Sequence, residues 1–233
     1  FLHKSQRKLV EKSFTGPARV LGGAGTGKTV VAIHRANYLA KNIFKDKNDR
    51  ILITTFTANL AEDIKENLKK VADIETLKRI EVINLDKWVN EFLKRQNYTY
   101  TIDYKKVDEI LKSVIASDLA NLRFTESFYK EEWNKVILNQ NITTKEEYIK
   151  ASRIGRGTKL TRLERIGIWN IFQNFIDEMS NKDVRDIGLA MRDARTILEL
   201  KPNLLSYKAV IVDEGQDFSS QASLMAVVHK RHV

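Results

Sequence analysis

The stretch Val20-Leu21-Gly22-Gly23-Ala24-Gly25-Thr26-Gly27-Lys28-Thr29 decides how this chain is read. It fits the pattern G-x-x-x-x-G-K-[ST]. It follows a short apolar run, Ala18 to Leu21, that reads as a strand, and it opens a segment of helical periodicity from Lys28 to about Asn42. The glycines let the backbone turn tightly and aim successive N–H groups at one point, while the start of the following helix adds its positive dipole end. Such a loop cradles phosphates. Gly22, Gly23, Ala24, Gly25, Thr26, Gly27, Lys28 and Thr29 are therefore candidate ATP-binding residues, with Lys28 a charge between the β- and γ-phosphates and the Thr29 hydroxyl a Mg²⁺ ligand. A glycine-rich turn that binds nothing is the plainer alternative, but it has no need of Lys-Thr at this spacing.

Far along the chain, Lys208-Ala209-Val210-Ile211-Val212-Asp213-Glu214-Gly215-Gln216-Asp217 sets two carboxylates at the end of a second apolar run. A solvated strand end often looks like this. Combined with the phosphate loop, the pattern assigns Asp213 to Mg²⁺, Glu214 to the general base that polarises the attacking water, and Gln216 to sensing the γ-phosphate. The candidate catalytic residues are thus Lys28, Glu214 and Gln216, and the candidate metal ligands are Thr29 and Asp213.

Between these motifs, apolar runs at Ile51 to Thr54 and Ile80 to Ile83 lack the alternation of a half-exposed strand and suit a buried parallel sheet. Helical segments at Lys28 to Asn42 and Ala58 to Val71 separate the first three runs, which implies right-handed crossovers. From about Trp88 to Leu200 the pattern is almost wholly helical, and the run at Ala209 to Val212 then returns the chain to the sheet. The expected fold class is α/β: a parallel sheet formed by residues 1–98 and 200–233, with a helical subdomain, 99–199, inserted. Within the insert, Leu163, Ile168, Phe172, Phe175 and Met179, flanked by Trp169 and Ile176, read as a core stripe. The segment Lys150 to Arg165 holds Lys150, Arg153, Arg156, Lys159, Arg162 and Arg165 against Glu164 alone, and Gly155 and Gly157 make its centre a loop. That loop either touches a phosphate backbone or is simply solvated.

Composition sets the outer bounds. A chain of 233 residues with 42% hydrophobic content can bury a core, and Lys plus Arg at 40 against Asp plus Glu at 30 favours a polyanionic partner. The absence of cysteine excludes disulfides and thiolate metal sites, and four scattered histidines offer no zinc spacing. No apolar run approaches membrane-spanning length and the first residues lack a signal-peptide stretch, so the expectation is a cytoplasmic protein without a membrane partner. A first residue other than Met and an end soon after the acidic motif suggest a piece of a longer polypeptide.

At this point the residues resemble the UvrD/Rep-like branch of superfamily 1 helicases. The resemblance rests on Gln6, GGAGTGKT at Gly22 to Thr29, TTFT at Thr54 to Thr57, and VDEGQD at Val212 to Asp217. It implies a RecA-like P-loop NTPase domain, called 1A, with an inserted 1B-like subdomain. It further implies ATP and Mg²⁺ as cofactors and single-stranded nucleic acid, usually DNA, as partner. Gln6 takes the place of the adenine-reading glutamine, Gln216 that of the coupling glutamine, and Thr55, Phe56 and Thr57 that of the strand-end motif contacting nucleic acid. Two departures stand out: Val30 where relatives commonly carry Arg, and Ala58-Asn59-Leu60-Ala61 where Asn-Lys-Ala-Ala is usual. The family's second RecA-like domain, with its arginine finger, would be the missing partner. Without it, weak nucleotide binding, little turnover and an exposed apolar face prone to self-association are expected. Two further classes share the phosphate loop: an ATP-switched module that binds nucleic acid or protein without processive movement, and a small-molecule kinase, which would need no Asp-Glu-x-Gln after a strand.

Overall fold

The computed structural model describes residues 2–23, 25–117 and 124–215. In chain order the elements are α1 (Lys4–Glu11), α2 (Lys28–Tyr38) continued by a π-helical turn (Leu39–Ile43), β1 (Arg50–Thr55), α3 (Ala58–Lys69), α4 (Ile74–Leu77), β2 (Ile80–Asn84) and α5 (Leu85–Arg95). There follow β3 (Thr101–Ile102), α6 (Tyr104–Ala116), α7 (Glu126–Glu132) with a π-helical extension (Trp133–Leu138), α8 (Lys145–Lys150), α9 (Arg162–Asn181), β4 (Val184–Arg185), α10 (Ile187–Leu200) and β5 (Tyr207–Val212). The described chain forms two compact units, 2–91 with 194–215 and 92–193. It passes from one to the other inside α5 and returns inside α10.

The first unit is a parallel three-stranded sheet in the order β2-β1-β5. Helices separate the paired strands because parallel strands cannot be joined by a tight hairpin. Burial explains why β1 sits in the middle: Ile51, Leu52 and Ile53 are at most 1% exposed. Each stabilises the fold by about 1.5–3 kcal/mol relative to exposure. Strand alternation assigns the two faces. Ile51 and Ile53 pack with Ile80, Val82, Ala209 and Ile211 against α2 and α3, through Ile33, Ala36, Ala61, Ile64 and Leu68. On the other face, the Trp88 indole donates to the Tyr207 hydroxyl (3.1 Å), which donates to Glu81 (2.6 Å).

Ala18 to Leu21 forms no strand. It runs as irregular chain, with Val20 40% and Leu21 75% exposed. The reason is pairing: no ladder partner accompanies it among the described residues, and an extended segment without one is not a strand.

The second unit is helical around one aromatic core, with β3 and β4 as a short parallel pair. The Trp133 ring meets Phe175 edge-on at 5.0 Å and Phe172 at 5.3 Å, and Tyr148 lies 6.0 Å from Trp169. Ile168, Phe172, Phe175 and Met179 are buried as their spacing predicts, with Trp169 beside them, but Leu163 is 80% exposed. Leu163 lies in the first turn of α9, where Thr161 caps the helix and Glu164 completes a reciprocal capping box. That turn projects beyond the core, so helical periodicity there carries no burial.

Candidate nucleotide site

Gly25 and Gly27 take left-handed φ values of +73° and +80°, and Gly27 caps α2 in that conformation. At Gly27 a second constraint applies, because a Cβ would lie 2.7 Å from Gln6 Nε2. The loop closes upon itself. Lys28 Nζ donates to Gly22 O (3.1 Å) and Gly23 O (3.0 Å), and Thr26 Oγ1 donates to Gly23 O (2.9 Å). The ammonium therefore reaches into the loop, where carbonyl oxygens occupy the donors a phosphate would take.

Gln6 lies beside this loop rather than apart from it. Its Nε2 donates to Thr26 O (3.2 Å) and its Oε1 accepts from His3 N (3.0 Å), part of a capping box that starts α1. The amide is committed within the protein, so reading a base requires exchanging at least one of these bonds. Val30, in the first turn of α2, is 43% exposed.

At the carboxyl edge of the sheet, the Asp213 N–H donates to Thr54 O (2.9 Å), extending the ladder one residue beyond β5. Asp213 is 4% exposed, and its Oδ2 has no hydrogen-bond partner among the described residues. A buried carboxylate oxygen without a partner is costly, and it is the donor chemistry a divalent cation needs. The carboxylate present thus fits Mg²⁺, and Thr29, the candidate hydroxyl ligand, is half-buried on α2. Glu214 follows with φ +52°. Asn97, Asn141 and Asp183 share positive φ, but those residue types tolerate it and Glu does not. Strain of this kind concentrates where a side chain must be aimed. Gln216, Asp217 and Ala24 lie outside the described residues.

The three residues assigned to nucleic-acid contact part company. Phe56 is 51% exposed at the end of β1. Thr57 caps α3, its side chain accepting from Leu60 N (3.2 Å). Thr55 is fully buried, and its hydroxyl, like that of Thr54, has no partner among the described residues. Alternation along β1 would have separated Thr55 from Phe56 at the sequence level: Thr55 shares a face with Ile51 and Ile53.

The basic segment also changes meaning. In the helical unit, Glu132 is fully buried and accepts from Arg153 Nε (2.6 Å) and Nη2 (2.8 Å), Arg156 Nε (3.1 Å) and the Tyr148 hydroxyl (2.8 Å). Burial pushes the Glu132 carboxyl up, but the Arg153 and Tyr148 donors outweigh it and hold its pKa below the usual carboxylate range. Burial likewise raises the Tyr148 hydroxyl, reinforced by the neighbouring Glu132 charge. Arg156 also pairs with Glu131, and Arg165 donates to the carbonyls of Tyr148, Ile149 and Ala151 at 2.9–3.0 Å. Three of the six cations therefore fasten the loop from inside. Lys150, Lys159 and Arg162 remain exposed around Ile154, which is 96% exposed.

Residues 2–233 match the family model described as UvrD/REP helicase N-terminal domain. The chain belongs to this family. Among curated proteins it is 26% identical over 213 residues to the probable DNA helicase II homolog of Mycoplasma capricolum, covering 86% of this chain and 28% of that protein. The ATP-dependent DNA helicase Rep of Buchnera aphidicola is 30% identical over 146 residues, 57% of this chain and 22% of the relative. The ATP-dependent DNA helicase SRS2 of Saccharomyces cerevisiae is 27% identical along 98% of this chain and 21% of its own length. The chain thus spans roughly a quarter of the length of these curated relatives. As a UvrD/REP-family domain it combines helices with a parallel sheet, and no helix among the described residues is long and apolar enough to cross a membrane.

Proposed function

We propose that this chain is the ATP-binding portion of a cytoplasmic, ATP-dependent DNA helicase or translocase that moves on single-stranded nucleic acid, its cleft completed by a second RecA-like domain. The observation that carries the reading is the unpartnered Asp213 Oδ2, buried at the edge of the sheet whose packed helix α2 begins at the phosphate loop. Relatives named as ATP-dependent DNA helicases support the class of activity.

In this reading the loop exchanges its internal bonds for phosphate oxygens. Lys28 leaves Gly22 O and Gly23 O to offset phosphate charge, and the backbone N–H groups from Gly25 to Thr29 supply the remaining donors. Thr29 and Asp213 hold Mg²⁺, which when bound draws charge from the scissile phosphate bond. Glu214, aimed by its left-handed backbone, accepts a proton from the attacking water. Gln216 couples this step to movement, and Phe56 offers an exposed ring on which a base can stack. Cationic stabilisation from the second domain contributes on the order of 10³–10⁵ in rate in related phosphoryl transfers, so the chain alone binds nucleotide weakly and turns it over little.

The test is ATP hydrolysis by the full-length protein with and without single-stranded DNA, in wild type and Glu214→Gln. Severalfold stimulation by DNA, abolished by the substitution, is the expected result. Hydrolysis indifferent to nucleic acid would leave an ATP-switched binding module in place of a motor.

A further inference from the structure

We propose that Thr55 belongs to the nucleotide site as a positioning residue, its hydroxyl sharing a metal-bound water with Asp213, rather than to the nucleic-acid surface. The inference rests on the reading of the phosphate loop as an ATP site.

Thr54 of β1 pairs with Val212 of β5, and the Asp213 N–H to Thr54 O bond closes that pair. Continuing the same register by one residue sets Asp213 opposite Thr55. Residues opposite each other on neighbouring strands point to the same face, about 4.8 Å apart. That face is the one on which Ile51 and Ile53 pack against α2, the helix that carries Lys28 and Thr29 at its start.

Burial supplies the second step. Thr55 is 0% exposed and Asp213 4%, and Thr55 Oγ1 and Asp213 Oδ2 each lack a hydrogen-bond partner among the described residues. Two buried oxygens on neighbouring register positions, neither bonded to the other, have a common need. A water carried on a divalent cation satisfies both, accepting from the Thr55 hydroxyl or donating to it while donating to the carboxylate. Residues that orient a ligating carboxylate in this indirect way typically alter metal affinity or activity by 10- to 100-fold when removed.

Strand alternation provides an internal control. Thr54 is equally buried and its hydroxyl equally unpartnered, but it shares the opposite face with Leu52. Thr54→Val and Thr55→Val remove the same atom from adjacent residues.

The experiment measures binding of a fluorescent ATP analogue to the chain as Mg²⁺ is titrated, with thermal unfolding of each variant recorded alongside. Thr55→Val should raise the Mg²⁺ midpoint about tenfold, leave affinity in EDTA unchanged and not lower the melting temperature, since the lost hydroxyl had no partner. Thr55→Ser should restore the midpoint, and Thr54→Val should leave it alone. The proposal is overturned if Thr55→Val shifts the midpoint less than twofold, if Thr55→Ser fails to rescue it, or if Thr54→Val shifts it equally. It is also overturned if the lesion in Thr55→Val is in nucleotide-free binding of single-stranded DNA. Lys28→Ala separates the underlying reading: should that variant bind the analogue as wild type does, the phosphate loop itself is not the site.

Discussion

The two units each bury a carboxylate, and the two carboxylates are treated in opposite ways. In the helical unit, Glu132 is sealed from water with four donors from Arg153, Arg156 and Tyr148 around it. At the sheet edge, Asp213 is nearly as buried, yet one carboxylate oxygen and the Thr55 hydroxyl have no partner among the described residues. A satisfied cluster holds a fold together, whereas an unsatisfied one at a ligand edge is built for something that arrives later. Chemically similar carboxylates thus part into structure and function according to what surrounds them.

The largest effect is expected at Glu132. Glu132→Ala leaves the buried Arg153 guanidinium without its counter-ion and Arg156 with Glu131 alone, and should destabilise the helical unit by about 3–5 kcal/mol, read as a loss in the denaturation midpoint. Because the folded pKa of Glu132 is depressed, its contribution is complete above the ordinary carboxylate range. It declines as pH falls through that depressed value, so the wild-type advantage over Glu132→Gln should shrink only in acid. An advantage that grows on acidification would contradict the assignment.

A smaller effect sharpens the reading of the loop. With Arg153, Arg156 and Arg165 bound inward, only Lys150, Lys159 and Arg162 are placed to meet phosphates. Neutralising these three should reduce the salt slope of single-strand binding by about 2, at roughly 0.7 per contact. Neutralising Arg153 or Arg156 instead should cost stability. An unchanged slope in the triple variant returns the loop to solvent. The smallest effect belongs to Leu163, whose exposure predicts that Leu163→Ser changes stability by no more than about 0.5 kcal/mol.

Much of this was legible in the residues, and the failures have physical causes. The helix that starts at Lys28, the runs at Ile51, Ile80 and Ala209, and the stripe from Ile168 to Met179 all took their expected form, because burial and periodicity are local signals. Ala18 to Leu21 misled because an apolar run does not reveal whether another strand lies alongside. Arg153 and Arg156 read as free charge because their acid, Glu132, lies more than twenty residues upstream, outside the segment whose charges were counted. Thr55 was grouped with Phe56 by motif, although a strand sends adjacent side chains to opposite faces.

The left-handed backbone at Glu214 has an evolutionary corollary. Elsewhere among the described residues the chain fills such positions with Gly, Asn or Asp, which suffer little there. Keeping Glu costs on the order of 1 kcal/mol. A library randomised at 214 and selected for heat resistance alone should drift toward Asn or Gly, whereas selection for ATP turnover should hold the acid in place. Position 214 is where durability and work would pull the lineage apart.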